Sequence, residues 1–278
     1  MNLVIPTYRR LNDQKTWDTL APKLREQVTF VVRPDEVKHF KIHYAPSKVI
    51  ATAPEVHDFS STLQFVFDTF ADRKFIYMDD DIKGFYRRDR FYQDHSTLIK
   101  PWQTTKLETA EDQTHMFNEL LKDLEIPFTG SVGLRQAWLP PYDTSRRSAQ
   151  CNVQLIAVNG ALVKKMGWRW DRMVWCSDYD FNLQMNNDGY DTLQRGDFYY
   201  TEPGFFNGEG GSNAQLEREA RILAMQAAYD NLAKHWPNVL KKSKPREWSG
   251  GVSDTQPNPY RMMRMAFLKK RRKELGIA

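Results

Sequence analysis

The chain has 278 residues, of which 41% are hydrophobic and 13% aromatic, and it carries a formal net charge of +5. This composition excludes a disordered chain, and no apolar run approaches the roughly 18 residues that a membrane helix requires. The two cysteines, Cys151 and Cys176, are too few for a disulfide framework or a zinc cluster. We therefore expect a reduced cytoplasmic protein with no membrane partner and, at this length, one large α/β domain.

Short apolar runs alternate with segments of helical length over the first part of the chain. The predicted strands are residues 3–5, 29–32, 48–51 and 75–78, and the predicted helices are residues 13–24 and 61–70. This alternation is typical of βαβ units, so we predict a single, mostly parallel, Rossmann-like sheet flanked by helices.

The second half of the chain is less regular. Thr109 is predicted to cap a helix that contains Met116 and Leu120, whereas the glycines and prolines between residues 126 and 149 indicate loops over the sheet. A strand is predicted at residues 152–158 and a long helix at residues 215–236.

The positive charge is concentrated at the C-terminus. Residues 241–278 contain eleven Lys and Arg and three Asp and Glu, which leaves 29 basic and 32 acidic residues before Lys241. We predict one domain at residues 1–240 and, packed on or tethered to it, a basic linker and C-terminal helix at residues 241–278. This basic segment has two interpretations, a solvated tail or a binding surface for a polyanion. In the second, the residues proposed to bind nucleic acid are Lys269, Lys270, Arg271, Arg272 and Lys273.

Three consecutive carboxylates, Asp79-Asp80-Asp81, follow the predicted strand at residues 75–78. Adjacent like charges repel one another, so a cation that neutralises them explains their position at a strand end. Asp79 and Asp81 are our candidate ligands for Mn²⁺ or Mg²⁺ holding a diphosphate. The alternative is a solvated turn, in which Asp is common.

A second acidic group, Asp178 and Asp180, stands at the start of a predicted helix. Ser177 and Asp180 have the spacing of a capping box, and Asp188-Gly189 forms a helix stop. Asp178 is not needed for the cap, so it is a candidate base for an acceptor hydroxyl, or alternatively a carboxylate favoured by the helix dipole.

A glycine-rich stretch containing Glu209, Gly210 and Gly211 precedes the long predicted helix. Its backbone N–H groups could bind phosphate or a sugar, and an ordinary turn is the alternative.

The order of these motifs resembles that of the GT-A glycosyltransferases, and more narrowly that of the TET-associated glycosyltransferases of bacteriophages. The resemblance rests on residues 5–10, residues 31–34 and the Asp79-Asp80-Asp81 motif, and it extends from residue 1 to about residue 236. It implies that the loop after the first predicted strand, called here the first loop, contacts the donor nucleotide together with the acidic motif. The residues concerned are Pro6, Thr7, Tyr8, Arg9, Asp79 and Asp80. It also implies a metal at Asp79 and Asp81, a base at Asp178, and acceptor or sugar contacts at Asp180, Glu209, Gly210 and Gly211.

The function implied is transfer of a sugar from a UDP-sugar to the hydroxymethyl group of a modified pyrimidine, 5-hydroxymethylcytosine, in phage DNA. The late histidine that binds metal in many GT-A enzymes has no recognisable counterpart in this sequence. One alternative is a GT-A enzyme that acts on a glycan, a lipid-linked sugar or a protein. A second is a non-catalytic DNA-binding protein with this fold.

Overall fold

The computed structural model describes residues 1–91, 103–137, 139, 143–202, 218–242 and 260–277. The strands are β1 (Leu3–Pro6), β2 (Val28–Val32), β3 (Lys48–Ala51), β4 (Lys74–Met78), β5 (Gly84–Arg88), β6 (Thr104–Lys106), β7 (Thr129–Gln136), β8 (Arg146–Arg147), β9 (Leu155–Asn159), β10 (Asp191–Thr201), β11 (Leu240–Lys242) and β12 (Tyr260–Met262). The helices are α1 (Lys15–Thr19), α2 (Pro22–Arg25), α3 (Val37–His43), α4 (Phe59–Thr69), α5 (Ala110–Asp123), α6 (Gly160–Met166), α7 (Ser177–Asn187), α8 (Arg218–His235) and α9 (Arg264–Glu274).

A ten-stranded mixed sheet forms the centre of the molecule, in the order β3-β2-β1-β4-β9-β7-β10-β5-β6 with β8 added beside β10. The pairs from β3 to β4 are parallel, as the alternating sequence predicts. β9 then runs antiparallel to both β4 and β7, and β7 pairs parallel with β10. The C-terminal ends of β1, β2, β4, β7 and β10 therefore lie along one edge of the sheet.

Helices cover both faces of this sheet, which confirms the predicted architecture. On one face, Met116, Phe117 and Leu120 of α5 pack with Phe30 and Ile76 of the sheet. On the other face, α4, α6 and α7 pack over Val4, Tyr77 and Ile156, with Phe67 and Phe181 at the centre. Burying both faces requires the continuous apolar runs that marked the parallel strands in the sequence.

The single helix predicted at residues 13–24 is two short helices, α1 and α2. Ala21 separates them in an extended conformation, with φ −58° and ψ 144°, and Pro22 occupies the first turn of α2. A residue before proline avoids the helical region, which explains the break.

The loops predicted between residues 126 and 149 contain a buried strand, so this prediction was wrong. β7 is eight residues long and its first seven residues are buried. An added Cβ at Gly133 would lie 2.4 Å from Asn152 Oδ1, and one at Gly130 would lie 2.8 Å from Met185 Sδ. Close packing against the sheet, rather than a turn, therefore accounts for these glycines.

The C-terminal helix α9 packs on α7 and buries Phe267 in a cluster with Leu183, Tyr229 and Leu232. β11 and β12 pair antiparallel just before it, on either side of the predicted linker, most of which lies outside the described residues. Among the helices that are described, none has both the length and the apolar character needed to span a bilayer.

Candidate active site

The loop that follows β1 is bonded to the acidic motif that follows β4. The Thr7 hydroxyl donates a 2.5 Å hydrogen bond to Asp80 Oδ2 and accepts one of 2.9 Å from Gln14 Nε2. Arg10 Nη1 reaches the other carboxylate oxygen of Asp80 at 2.7 Å and Asp81 Oδ2 at 3.3 Å. Parallel pairing of β1 with β4 puts the two segments side by side, so motifs 70 residues apart in sequence form one site.

Asp79 directly follows β4, and three neighbouring carboxylates repel its negative charge. Its Oδ1 accepts a hydrogen bond from the Tyr77 hydroxyl, and its backbone N–H donates to the Gln154 carbonyl at 2.8 Å. Burial, followed by repulsion from Asp81, Asp80 and Glu202, raises the pKa of Asp79 well above its usual range. A cation bound nearby would stabilise the ionised form of this carboxylate.

Asp80 has a different role from its neighbours. Burial raises its pKa to about 6, while Arg10 and the Thr7 hydroxyl act in the opposite direction. Its side chain is 11% exposed and both carboxylate oxygens are occupied by Thr7 and Arg10. Asp80 therefore joins the first loop to the acidic motif.

The donor atoms of the motif fit a divalent metal ion. Asp81 Oδ1 is buried and accepts no hydrogen bond from the part of the chain that the structure describes. Arg10 supplies one positive charge against several carboxylates, so negative charge remains to be neutralised, and oxygen ligands suit Mg²⁺ or Mn²⁺. Within the described ranges, His, Cys, Asp and Glu form no group of three placed to hold a metal ion, so substrate oxygens or water must complete the coordination of such an ion.

The end of the first loop lines a cavity through Arg9 and Arg10, and Arg10 also contacts the acidic motif. Arg9 adopts a left-handed conformation with φ 56°, and its N–H donates to Glu36 Oε1 at 2.9 Å. The guanidinium carbons of Arg9 and Arg33 lie 4.9 Å and 5.3 Å from the centre of the Tyr8 ring. The cavity beside them has a volume of about 540 Å³, and Asp35 and Glu36 line it from the segment after β2. Its size suits a nucleoside.

Asp178 lies in the first turn of α7, close to a second set of polar groups. Its carboxylate accepts a 2.8 Å hydrogen bond from the Tyr179 N–H. Burial raises the pKa of Asp178 to about 6, with the Arg264 charge acting to lower it. A carboxylate with a raised pKa can take up a proton near neutral pH, which is the property a general base needs.

The capping box predicted at Ser177 and Asp180 is absent, so that prediction was wrong. The N-cap is Cys176, in a left-handed conformation with φ 60° and no side-chain cap, and Ser177 is the first helical residue. Asp180 instead accepts hydrogen bonds from Trp236 Nε1 at 2.8 Å and Gln184 Nε2 at 2.9 Å. Asp180 is 1% exposed and connects α7 to the end of α8. The predicted helix stop at Asp188-Gly189 is confirmed, with Gly189 at φ 81°.

A short segment before β9 connects Asp178 to the acidic motif. Asn182 of α7 accepts a hydrogen bond from the Asn152 N–H at 3.3 Å, and Gln154 O accepts one from the Asp79 N–H at 2.8 Å. Residues 151–154 can span at most about 11 Å. The segment therefore joins helix α7 and the end of β4 at the same edge of the sheet.

Glu202 belongs to this edge, although no sequence motif pointed to it. It directly follows β10, and its charge contributes to the raised pKa values of Asp79 and Tyr200. Its Oε1 accepts a 2.9 Å hydrogen bond from Gln136 Nε2 at the end of β7. The signal that could have located it is an acid immediately after a long strand, but β10 was not recognised.

The five basic residues of the C-terminal motif have different environments. Arg271 Nε donates to Asn187 O at 2.7 Å, and Arg272 Nε donates to Gly189 O at 2.9 Å, so both bond to backbone carbonyls at the end of α7. Lys269, Lys270 and Lys273 are exposed on the opposite side of α9.

Several candidate residues remain to be placed. Glu209, Gly210 and Gly211 lie outside the described residues. Trp168 and Trp170, whose rings are large enough to stack on a base, are 3% and 1% exposed and belong to the core. Their burial excludes stacking on a flipped base.

This fold is that of the GT-A glycosyltransferases. The mannosyltransferase PcManGT from Pyrobaculum calidifontis, in complex with GDP-Man and Mn²⁺, matches with a TM-score of 0.53 and 15% identity over 88% of this chain and 65% of its own. S. aureus TarS 1-349 in complex with UDP-GlcNAc matches with a TM-score of 0.45 and 12% identity over 84% of this chain and 67% of its own. The chain thus spans about two thirds of these proteins, and the match to the mannosyltransferase, at 15% identity, establishes the fold alone.

The family model for the TET-associated glycosyltransferases matches residues 1–211, which include β1, the acidic motif and α7. The chain belongs to this family. No curated protein matches it. The match ends before α8 and α9, so the basic helix lies beyond the matched residues.

Proposed function

We propose that the protein transfers a sugar from a nucleotide-sugar, a UDP-sugar, to the hydroxymethyl group of 5-hydroxymethylcytosine in DNA. The observation that carries this proposal is the bonded junction of Thr7 and Arg10 with Asp80 and Asp81 at the edge of a GT-A sheet. It joins a nucleoside-sized cavity to an acidic motif suited to a diphosphate. Family membership supports the same reaction class.

On the donor side, the first loop binds the nucleotide. Pro6, Thr7 and Tyr8 contact the nucleotide, the Tyr8 ring lies beside the guanidinium groups of Arg9 and Arg33, and Arg9 lines the cavity that takes the nucleoside. Asp80 fixes the position of this loop by accepting the hydrogen bond from the Thr7 hydroxyl. Glu36, which accepts N–H bonds from Arg9 and Arg33, holds the loop against the segment after β2.

Asp79 and Asp81 are the residues that would hold the metal, as Mn²⁺ or Mg²⁺. When bound, the ion would neutralise the charge that develops on the departing diphosphate. Arg10 adds a fixed positive charge on the same side of the motif.

On the acceptor side, Asp178 takes the proton. The hydroxymethyl oxygen attacks the anomeric carbon, the bond from that carbon to the diphosphate breaks, and the hydroxyl proton passes to the Asp178 carboxylate. This direct displacement inverts the configuration of the sugar carbon. If the reaction retains configuration, Asp178 orients the acceptor or the sugar instead.

A DNA acceptor agrees with the charge on α9. Lys269, Lys270 and Lys273 are exposed on one side of this helix, where their charges would meet phosphates, although Lys270 Nζ also lies 3.7 Å from Glu274 Oε1. The glycine-rich stretch with Glu209, Gly210 and Gly211 remains a candidate for acceptor or sugar contacts.

The test is to incubate the protein with a panel of UDP-sugars, Mn²⁺ and DNA that contains 5-hydroxymethylcytosine, and then to analyse the digested nucleosides by mass spectrometry. A mass gain of one sugar on the modified base is the expected result. The matched control is the same DNA with unmodified cytosine, which offers no hydroxyl at that position.

Two other outcomes are informative. Metal-dependent hydrolysis of one UDP-sugar without any gain on DNA would move the acceptor to a glycan, a lipid-linked sugar or a protein. Binding of DNA without turnover of any donor would identify a non-catalytic DNA-binding protein.

A further inference from the structure

The C-terminal helix α9 runs alongside α7 in the same direction. Arg271 and Arg272 bond to carbonyls at the end of α7, and Phe267 packs into the cluster around Leu183. Because α9 rises about 1.5 Å per residue, its first residue lies roughly 10 Å from Arg271, back toward the start of α7. That start is where Asp178 lies.

Arg264, the first residue of α9, reaches the surroundings of Asp178. The positive charge of its guanidinium acts to lower the pKa of both the Cys151 thiol and the Asp178 carboxyl, so both groups lie within range of this charge. Asn182 connects residues 151 and 178, since its Nδ2 donates to the backbone carbonyl of Asp178 at 2.7 Å and lies 3.8 Å from Cys151 Sγ. Arg264 Nη1 is buried and has no hydrogen-bond partner among the described residues, so one donor of the guanidinium is still free to bind.

The other titratable groups around Asp178 provide no compensating charge. They come from the segment before β9 (Cys151), from the start of α7 (Cys176 and Tyr179) and from α8 (Tyr229). Burial raises the pKa of both thiols and of both phenols, so these four groups are neutral near pH 7. Among the groups that the structure places around Asp178, Arg264 is the one cation.

We propose that Arg264 is a positioning residue for the acceptor reaction, which acts on Asp178 by compensating the charge of its carboxylate from the start of the packed helix α9. The C-terminal helix then completes the acceptor side of the site, although it lies beyond residues 1–211 that the family model matches. This inference rests on the proposed role of Asp178 as the base. Helix α9 then has two functions. Arg264 acts on Asp178 at the acceptor side of the site, and the exposed lysines bind the polyanion.

The first test compares Arg264→Gln and Arg264→Lys with the parent by measuring kcat/KM for sugar transfer between about pH 5 and about pH 9, a range that brackets the pKa of Asp178 at about 6. A base must be deprotonated, so activity falls at acid pH. Without the guanidinium charge, proton loss from Asp178 becomes harder, and the acid limb of Arg264→Gln moves to higher pH. We expect a loss of roughly 10- to 100-fold at about pH 6 that shrinks as the pH rises.

Arg264→Lys keeps the positive charge, so its kcat/KM at acid pH should be close to that of the parent. Lys165→Gln, on the exposed side of α6, removes the same charge far from Asp178 and is the matched control. A uniform loss at every pH in Arg264→Gln, with the acid limb unmoved, would indicate a merely structural residue and overturn the proposal.

A second measurement needs no turnover. Chemical denaturation of Arg264→Gln, Asp178→Asn and the double variant forms a double-mutant cycle. A coupling between the two residues at about pH 8 that disappears at about pH 4, where Asp178 is protonated, supports the pairing. Zero coupling at both pH values would reject it. If the coupling is present but the parent transfers no sugar to DNA, the proposed function fails while the Arg264–Asp178 relationship stands.

Discussion

The hydroxyl of Thr7 donates a 2.5 Å hydrogen bond to Asp80 Oδ2, across 73 residues of sequence. The bond ties the end of β1 to the end of β4, and Arg10 strengthens the same junction from the other carboxylate oxygen. Neither Thr7 nor Asp80 is free to bind a ligand through these atoms without breaking the junction. Their main contribution is therefore to shape the donor site in which Asp79 and Asp81 act.

The first prediction concerns this junction. Thr7→Val keeps the side-chain shape but leaves the buried Asp80 carboxylate without one of its donors, which costs about 1.5–3 kcal/mol of the free energy of unfolding. Donor affinity should also fall, because the loop loses its tie to the acidic motif. Thr7→Ser, which keeps the hydroxyl, is the matched control. Urea denaturation and calorimetric titration with UDP in Mn²⁺ measure the two effects, and equal behaviour of the Val and Ser variants would contradict the prediction.

The second prediction concerns metal binding at Asp79 and Asp81. Because a ligand that binds only the folded state stabilises it, millimolar Mn²⁺ with UDP should raise the melting temperature of the parent. In Asp79→Asn and Asp81→Asn this rise should be lost, and sugar transfer should drop by roughly 10²- to 10³-fold. Asp72→Asn, at an exposed position outside the site, should behave as the parent does. A full Mn²⁺ response in both site variants would remove these residues as ligands.

The third prediction follows from the raised pKa of Asp178, from 3.8 to about 6. Between these values the folded state binds more protons than the unfolded state, so the Asp178 contribution to stability falls as the pH rises through this window and stays low above it. Asp178→Asn should therefore stabilise the fold by roughly 1–3 kcal/mol near pH 8, and by much less near pH 4.

The same variant should lose turnover while retaining UDP binding, because Asp178 lies on the acceptor side. Denaturation curves at the two pH values and a donor titration check both statements. A variant that is less stable than the parent at about pH 8 would show that the ionised carboxylate is favoured by its surroundings, contrary to the direction of the pKa.

The fourth prediction separates the two kinds of basic residue on α9. Replacing Lys269, Lys270 and Lys273 by Gln should weaken DNA binding and reduce the slope of log affinity against log salt by about 1 per lysine, with little change in stability. Arg271→Gln and Arg272→Gln should each cost roughly 1–2 kcal/mol of folding free energy, because backbone carbonyls at the end of α7 lose a charged donor.

Binding to a fluorescent duplex at several salt concentrations, together with thermal melts, distinguishes the two sets. An unchanged salt slope in the triple lysine variant would place the DNA elsewhere on the protein.

Strands near the N-terminus could be located from the sequence because both faces of a parallel sheet are buried and its strands are continuous apolar runs. The run at residues 75–78 corresponds to β4, and the acids that follow it lie at the sheet edge, as predicted. β7 was not predicted, because glycines interrupt its apolar residues. Gly130 and Gly133 read as turn residues, whereas contacts with Met185 and Asn152 leave no room for a side chain there.

The sequence by itself determined the fold class, the family and the acidic motif, because local apolar patterning and short motifs carry that information. Only the tertiary structure decided which side chains meet. It brought Arg10 onto Asp80, and it gave Arg9, the residue predicted to contact the nucleotide, a left-handed backbone with its N–H bonded to Glu36. It also brought Glu202 close to Asp79, and Arg264 close to Asp178, through strand order and helix packing that join residues far apart in sequence. Contacts of this kind depend on how elements pack, and no local pattern encodes them.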